Sequence, residues 1–387
     1  MAKHKDHTEP GKGESERQDI TTVAGANRAA LHKQGLYKPK GWITHGLTSL
    51  MQLPNATPLA VLRWTTPEGP MPHILNLPSR DEGRHIKIYV WIPPPGSGSF
   101  TGTRRPCLVD FHGGGFTMGG PLEQAPWCAA LARAGIIAIS VHYRLGPTWE
   151  FPAALLDAED VINAILDVEG NTEPGKFIRR EVLRCSKGRT EFDESKVGIS
   201  GFSSGGNIAL NMLLSIPAHL NTSKADEGGN DGDWPSPFLN AQSPLRTIPA
   251  LLFFPSLDAR QAPFDRKRPE GMAPQGEVSK WIGKTLLNAY LPQEFVSHLR
   301  ATMKHATLDC MHPATRALLI LPQIDTLSEQ SEVWQDSMGH VRVHRIEKMS
   351  HGFTTFPDSF IDEKTRAAKK LVMDQALLYV IEMFKSS

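Results

Sequence analysis

Hydrophobic and polar positions along the chain change character near residue 86. From there Ile86-Lys87-Ile88-Tyr89-Val90-Trp91 alternates as a half-buried strand should, and Pro93-Pro94-Pro95-Gly96 ends it. Downstream, the pattern predicts strands at 106–111, 136–142, 196–200, 249–254, 316–322 and 341–346. Helices are predicted near 121–134 and 153–168, at 205–215 and from about 364 to 384. Several strands are continuous apolar runs, among them Ile136-Ile137-Ala138-Ile139 and Ala317-Leu318-Leu319-Ile320-Leu321. Such runs suit a parallel sheet covered on both faces. Strands alternating with helices give a doubly wound α/β architecture with right-handed crossovers.

Two stretches interrupt the alternation. Residues 218–246 hold Asp226-Glu227-Gly228-Gly229-Asn230-Asp231-Gly232-Asp233 and several prolines, so an exposed, mobile excursion is expected there. Residues 258–312 carry helical periodicity from Val278 to Tyr290 through Trp281, Ile282, Leu286 and Leu287. This insertion follows a strand, and it is expected above the C-terminal edge of the sheet, where open α/β folds bind ligands. Upstream of the first strand, Trp42, Leu47, Leu50 and Met51 suggest short amphipathic helices that complete the same cap. The expected organisation is a disordered leader at 1–20 and an N-terminal cap segment at 21–80. A core at 81–257 with the exposed loop 218–246, the cap insertion 258–312 and a second core part at 313–387 follow.

The 387 residues and a 40% hydrophobic content suffice for a large α/β domain with insertions. Lys and Arg number 42 against 41 for Asp and Glu, a balance that offers no electrostatic attraction for nucleic acid or an anionic membrane. The local basic cluster of Arg179, Arg180, Arg184, Lys187 and Arg189 reads as a solvated helix-and-loop face. Cys107, Cys128, Cys185 and Cys310 have no C-x-x-C spacing, so neither a zinc site nor a disulfide framework is expected. The polar first twenty residues lack a signal-peptide apolar core, no run is long enough to span a membrane, and the expected location is cytoplasmic.

The chemistry lies in four motifs. Gly201-Phe202-Ser203-Ser204-Gly205 stands between the apolar run Val197-Gly198-Ile199-Ser200 and the helical stretch Asn207 to Leu214. G-x-S-x-G between a strand and a helix exposes one serine on a tight turn where only small flanking residues fit. Upstream, His112-Gly113-Gly114-Gly115-Phe116 follows the run from Cys107 to Phe111. Consecutive glycines let backbone amides approach a substrate, so Gly114 and Gly115, with the Ser204 N–H, are the candidate donors to an oxyanion. His112 and Gly113 support that loop.

A serine hydroxyl needs a base oriented by a carboxylate, and on this architecture the order is serine, acid, histidine. Asp325 falls just after the strand 316–322, and His351 follows the strand 341–346 within Met349-Ser350-His351-Gly352-Phe353. Glu329 and Asp336 are alternative acids. Of the 15 histidines, His340 and His344 flank or lie within a strand, and His305 and His312 close the cap insertion.

These motifs, with Tyr143-Arg144-Leu145, Phe151-Pro152-Ala153-Ala154, Asp157, Asp325-Thr326-Leu327 and His351-Gly352-Phe353, resemble the hormone-sensitive-lipase-like carboxylesterases of the α/β-hydrolase fold. The resemblance covers about residues 80 to 384. It implies a mostly parallel eight-stranded sheet flanked by helices, a helical cap, and ester hydrolysis without a cofactor or metal. Two departures stand out: Phe202 and Ser204 replace the family's Asp and Ala around the nucleophile, and Gly146-Pro147-Thr148-Trp149-Glu150 replaces Ala-Pro-Glu-His.

The expected function is therefore hydrolysis of a carboxylic ester or lactone of a hydrophobic small molecule through an acyl-enzyme. The altered elbow keeps a second reading open, a cyclase, lyase, acyltransferase or receptor for a bulky apolar metabolite. Met51, Trp42, Trp281 and Phe116 are candidate pocket walls, and the eighth strand with the final helix is a candidate homodimer surface.

Overall fold

The structure is a computed structural model that describes Gly46, Thr48, Gln52, Leu59, 62–100, 102–220, 232–272, 274, 276–338 and 341–386. The leader 1–20, Trp42, Met51, His340 and most of the acidic run in 218–246 lie outside the described residues. The described strands are β1 (His73–Pro78), β2 (His85–Trp91), β3 (Arg104–Phe111), β4 (Ile137–His142), β5 (Glu191–Phe202), β6 (Ile248–Phe253), β7 (Thr315–Ile324) and β8 (Arg342–Ser350). They form one eight-stranded sheet in the order β1-β2-β4-β3-β5-β6-β7-β8. β2 pairs antiparallel with β1 and with β4, and every pairing from β4 through β8 is parallel.

Among the described residues, the α-helices longer than two turns are α1 (Ala125–Arg133), α2 (Ala153–Leu166), α3 (Glu173–Cys185), α4 (Ser204–Leu213), α5 (Glu277–Tyr290), α6 (Ser328–Met338) and α7 (Glu363–Lys385). Successive side chains of a strand point to opposite faces, and here both faces are dry. Val109, Ile139, Ile199 and Leu252 pack with α2, α4 and α6, while Leu108, Ala138, Leu251 and Ile320 pack with α1 and α7. That two-sided burial is the reason the central strands read as unbroken apolar runs.

Three features correct or extend the sequence reading. β1 belongs to the sheet, although 73–78 falls in the segment assigned to the N-terminal cap. Only Leu75 and Leu77 of β1 are buried, a pattern too short to stand out between prolines. α3 and α6 are additional helices. Within the basic cluster, Arg180 and Arg184 are exposed as expected, but Arg179 turns inward and donates to the carbonyls of Asp167 (2.7 Å) and Ile165 (2.8 Å).

Above the sheet, α5 is tied to the core through its last residue. Tyr290 stacks on Phe116 with centroids 4.6 Å apart, and its carbonyl accepts from the Phe151 N–H at 2.8 Å. This seats the end of α5 against the loop that follows β3 and the segment that leads into α2.

Candidate active site

β5 ends at Phe202 and α4 begins at Ser204, so Ser203 alone makes the reversal. Its φ of 55° and ψ of −113° lie where a side chain is strained. Three backbone bonds hold it there. The Ser203 N–H donates to Phe253 O at 2.8 Å, and its carbonyl accepts from Asn207 N at 3.1 Å and Ser256 N at 3.2 Å. The flanking glycines are dictated by contact. A Cβ on Gly205 would stand 2.0 Å from the Phe111 carbonyl oxygen, and one on Gly201 would stand 2.1 Å from the Gly205 oxygen. Phe202 replaces the usual carboxylate with a buried ring stacked on Phe253 at 4.1 Å.

Asp325 and His351 each follow the end of a strand, β7 and β8 respectively. Asp325 is buried and accepts the Leu327 N–H through Oδ1 at 2.9 Å. Its Oδ2 lies 2.7 Å from His351 Nδ1, and His351 Nε2 lies 3.0 Å from Ser203 Oγ. Three residues separated by 26 and 148 positions thus form one hydrogen-bonded line. The alternative acids Glu329 and Asp336 sit in α6, and it is Asp325 that contacts the imidazole. Phe254 completes this corner with its ring edge-on to the imidazole, centroids 4.9 Å apart at 67°.

The glycine loop passes directly beside the serine. A Cβ on Gly113 would come within 3.5 Å of the Ser203 Cβ. Gly114 has φ 111°, and a side chain there would collide with the Met118 carbonyl at 2.0 Å. His112 is buried and donates from Nδ1 to Gly113 O at 2.7 Å, while its ring stacks on Tyr143 at 4.3 Å. The Tyr143 hydroxyl in turn donates to His112 O at 2.7 Å. Burial pushes the His112 imidazole down to about 3, which keeps it neutral. This histidine braces the loop.

Gly114, Gly115 and Ser204 share with Ser203 and His351 the lining of one cavity of about 740 Å³. Phe116, Leu155, Phe254, Leu286 and Leu291 supply apolar wall. Of the expected wall residues, Phe116 lines the cavity, whereas Trp281 is 53% exposed and lies outside the lining. Three charged residues without a local sequence signal also line it, Glu123, Arg266 and Arg300. Burial pushes the Glu123 carboxyl up to about 7, with only a backbone bond from Gly120 opposing it. Among the described residues no cluster of three or more His, Cys, Asp and Glu is placed to hold a metal, and no helix is long and apolar enough to cross a membrane.

A serine on a strand-to-helix elbow, in line with a histidine and an acid on later strand ends, defines an α/β hydrolase. The chain belongs to the alpha/beta hydrolase fold family, whose profile matches residues 108–355. Among curated proteins it is 30% identical over 142 residues to Probable carboxylesterase 1 of Arabidopsis thaliana, a stretch covering 36% of this chain and 41% of that one. It is 34% identical over 135 residues to the 3-O-acetylpapaveroxine carboxylesterase of Papaver somniferum, covering 34% and 41%. The chain thus matches about two fifths of the length of each of these relatives. An esterase of Pyrobaculum calidifontis shares the fold with a TM-score of 0.57 and 19% identity, covering 88% of this chain and 93% of the other. A Rhizomucor miehei esterase structure gives 0.58 and 18%, covering 90% and 98%.

Proposed function

We propose that the protein hydrolyses carboxylic esters of small molecules with apolar parts, through a covalent acyl-serine. Ser203 Oγ attacks the ester carbonyl carbon while its proton passes to His351 Nε2. The carbonyl oxygen becomes an oxyanion facing the N–H groups of Gly114, Gly115 and Ser204. Collapse of the tetrahedral adduct breaks the C–O bond, and the departing alkoxide takes the proton from the imidazolium. Water, deprotonated by the same nitrogen, then releases the acid and restores Ser203. Asp325 holds the imidazole in the tautomer that presents Nε2 as the acceptor and stabilises the transient cation.

The observation carrying this reading is the hydrogen-bonded line from Ser203 Oγ through His351 to Asp325, at 3.0 and 2.7 Å. The N-terminus of α4 adds a favourable dipole beside the oxyanion. Support for an apolar substrate portion comes from the aromatic and aliphatic cavity wall. The carboxylesterase names of the relatives point the same way.

The test joins turnover of short-chain p-nitrophenyl esters with labelling by a fluorophosphonate. The expected outcome is stoichiometric labelling at Ser203 and loss of both signals in Ser203→Ala. Undiminished hydrolysis by that folded variant overturns the proposal. Labelling without release of acid from any ester would instead favour acyl transfer to another acceptor.

A further inference from the structure

Arg266 is a cation in this largely apolar cavity, and the acids around it are already engaged. It lies in the insertion that carries α5, partly buried, and lines the same cavity as Ser203, Asp325 and His351. Its Nε donates to the Gln261 carbonyl at 3.1 Å. Among the described residues no carboxylate comes within ion-pair distance of its guanidinium.

The two acids whose charge acts on the Arg266 guanidinium, Asp325 and Asp258, face other partners. Asp325 holds His351 at 2.7 Å and the Leu327 N–H at 2.9 Å. Asp258 takes the Arg260 Nε and Nη2, each at 3.0 Å, and lies 3.8 Å from Lys304. The other cavity arginine, Arg300, is engaged by the backbone. Its guanidinium donates to the carbonyls of Asn211 (2.8 Å), Leu214 (3.3 Å) and Trp234 (2.7 Å) and lies over the Trp234 ring at 4.1 Å. Arg300 is structural, and Arg266 is the cation left to face a ligand.

Burial without a counter-ion lowers the Arg266 pKa to about 10, so the guanidinium remains charged near neutral pH. A partly desolvated cation is costly unless an anion completes it, and a guanidinium fork matches a carboxylate in a bidentate geometry. We propose that Arg266 binds a free carboxylate on the substrate, so that the preferred esters are half-esters of dicarboxylic acids with an apolar spacer. This inference deepens the ester reading of the same cavity. The spacer would lie along the apolar wall while the scissile carbonyl sits at Ser203.

The experiment measures binding in the Ser203→Ala protein by calorimetry, using the monomethyl and dimethyl esters of adipate, suberate and sebacate. At least one half-ester should bind about tenfold or more tightly than its neutral diester, a preference that high salt weakens. The preference should also fade as pH falls through the ligand's own carboxyl pKa. In Ser203→Ala/Arg266→Gln the ratio should collapse towards unity, and Arg266→Lys should restore part of it. Equal binding of half-ester and diester for every spacer overturns the proposal, and this comparison needs no Arg266 variant to fold. Equal weakening of both ligand types in a folded Arg266→Gln protein also overturns it, leaving Arg266 as a packing or positioning residue. Turnover of the same half-esters by the unsubstituted chain is scored separately. Retained preference without turnover sinks the hydrolase reading alone, and turnover without preference sinks the carboxylate site alone.

Discussion

Phe254 stands edge-on to the His351 imidazole, with ring centroids 4.9 Å apart and planes at 67°. The phenylalanine directly follows β6, is fully buried and has φ 41°. His351 itself is 38% exposed towards the cavity, so the Phe254 edge and the Asp325 carboxylate are what orient its ring. Removing that edge frees the imidazole to tilt without touching the serine or the acid. Phe254→Leu is expected to lower kcat by about 10- to 100-fold, because misplacement by a fraction of a bond length is enough to misalign proton transfer. KM should change much less. A folded Phe254→Leu protein with full kcat would show that Asp325 alone fixes the ring.

The line of Ser203, Asp325 and His351 was legible because Ser203 and Asp325 follow strands with buried apolar runs, while His351, after the largely polar β8, is marked by its loop position and the glycine that follows it. Phe254 and Arg266 were not, since their roles depend on contacts across the fold with no local signature. β1 was hidden for a different reason. An edge strand with two inward residues produces almost no periodic signal. α6 escaped because part of its buried face is polar. Gln330 is buried, and its Oε1 accepts the N–H groups of Leu257 and Asp258 at 3.0 Å, binding the helix through polar contacts that a hydrophobicity pattern does not register.

Asp110 should give the fold a measurable pH dependence. It lies fully buried in β3, where it accepts the Ser200 hydroxyl, and that hydroxyl accepts Trp127 Nε1–H at 3.2 Å. Burial pushes the Asp110 carboxyl up to about 7, against an unfolded value near 3.9. Between those values the folded state holds a proton that the unfolded chain has lost. Its contribution is therefore complete below about pH 4 and is lost as pH rises through 7, with a limiting slope of about 1.4 kcal/mol per unit. His112 acts in the opposite sense, since its folded value of about 3 lies below the unfolded one and its contribution is lost as pH falls below about 6.5. The two slopes offset each other in the wild type, so only a difference curve separates them. The stability of Asp110→Asn minus that of the wild type should climb from pH 4 to 7 and then level off, read by urea unfolding. A flat difference would mean that Asp110 titrates alike in both states.

The elbow predicts an inverted preference between alanine and glycine. At an ordinary position Gly is the less stable of the two by roughly 0.5–1 kcal/mol, because its unfolded chain is freer. Position 203 has φ 55° and ψ −113°, where a Cβ costs on the order of 1–3 kcal/mol. Ser203→Ala and Ser203→Gly both lack the hydroxyl, so their difference isolates the strain. Ser203→Gly should be the more stable of the two by about 1 kcal/mol in chemical unfolding. Position 205 should behave conversely, since a Cβ there meets the Phe111 oxygen at 2.0 Å and α4 would have to lift off β3. Gly205→Ala is expected to cost at least about 2 kcal/mol and to lower fluorophosphonate labelling of Ser203, because the same shift moves the serine away from His351. If Ser203→Ala proved at least as stable as Ser203→Gly, the turn would carry no strain. The glycine spacing would then reflect helix packing alone.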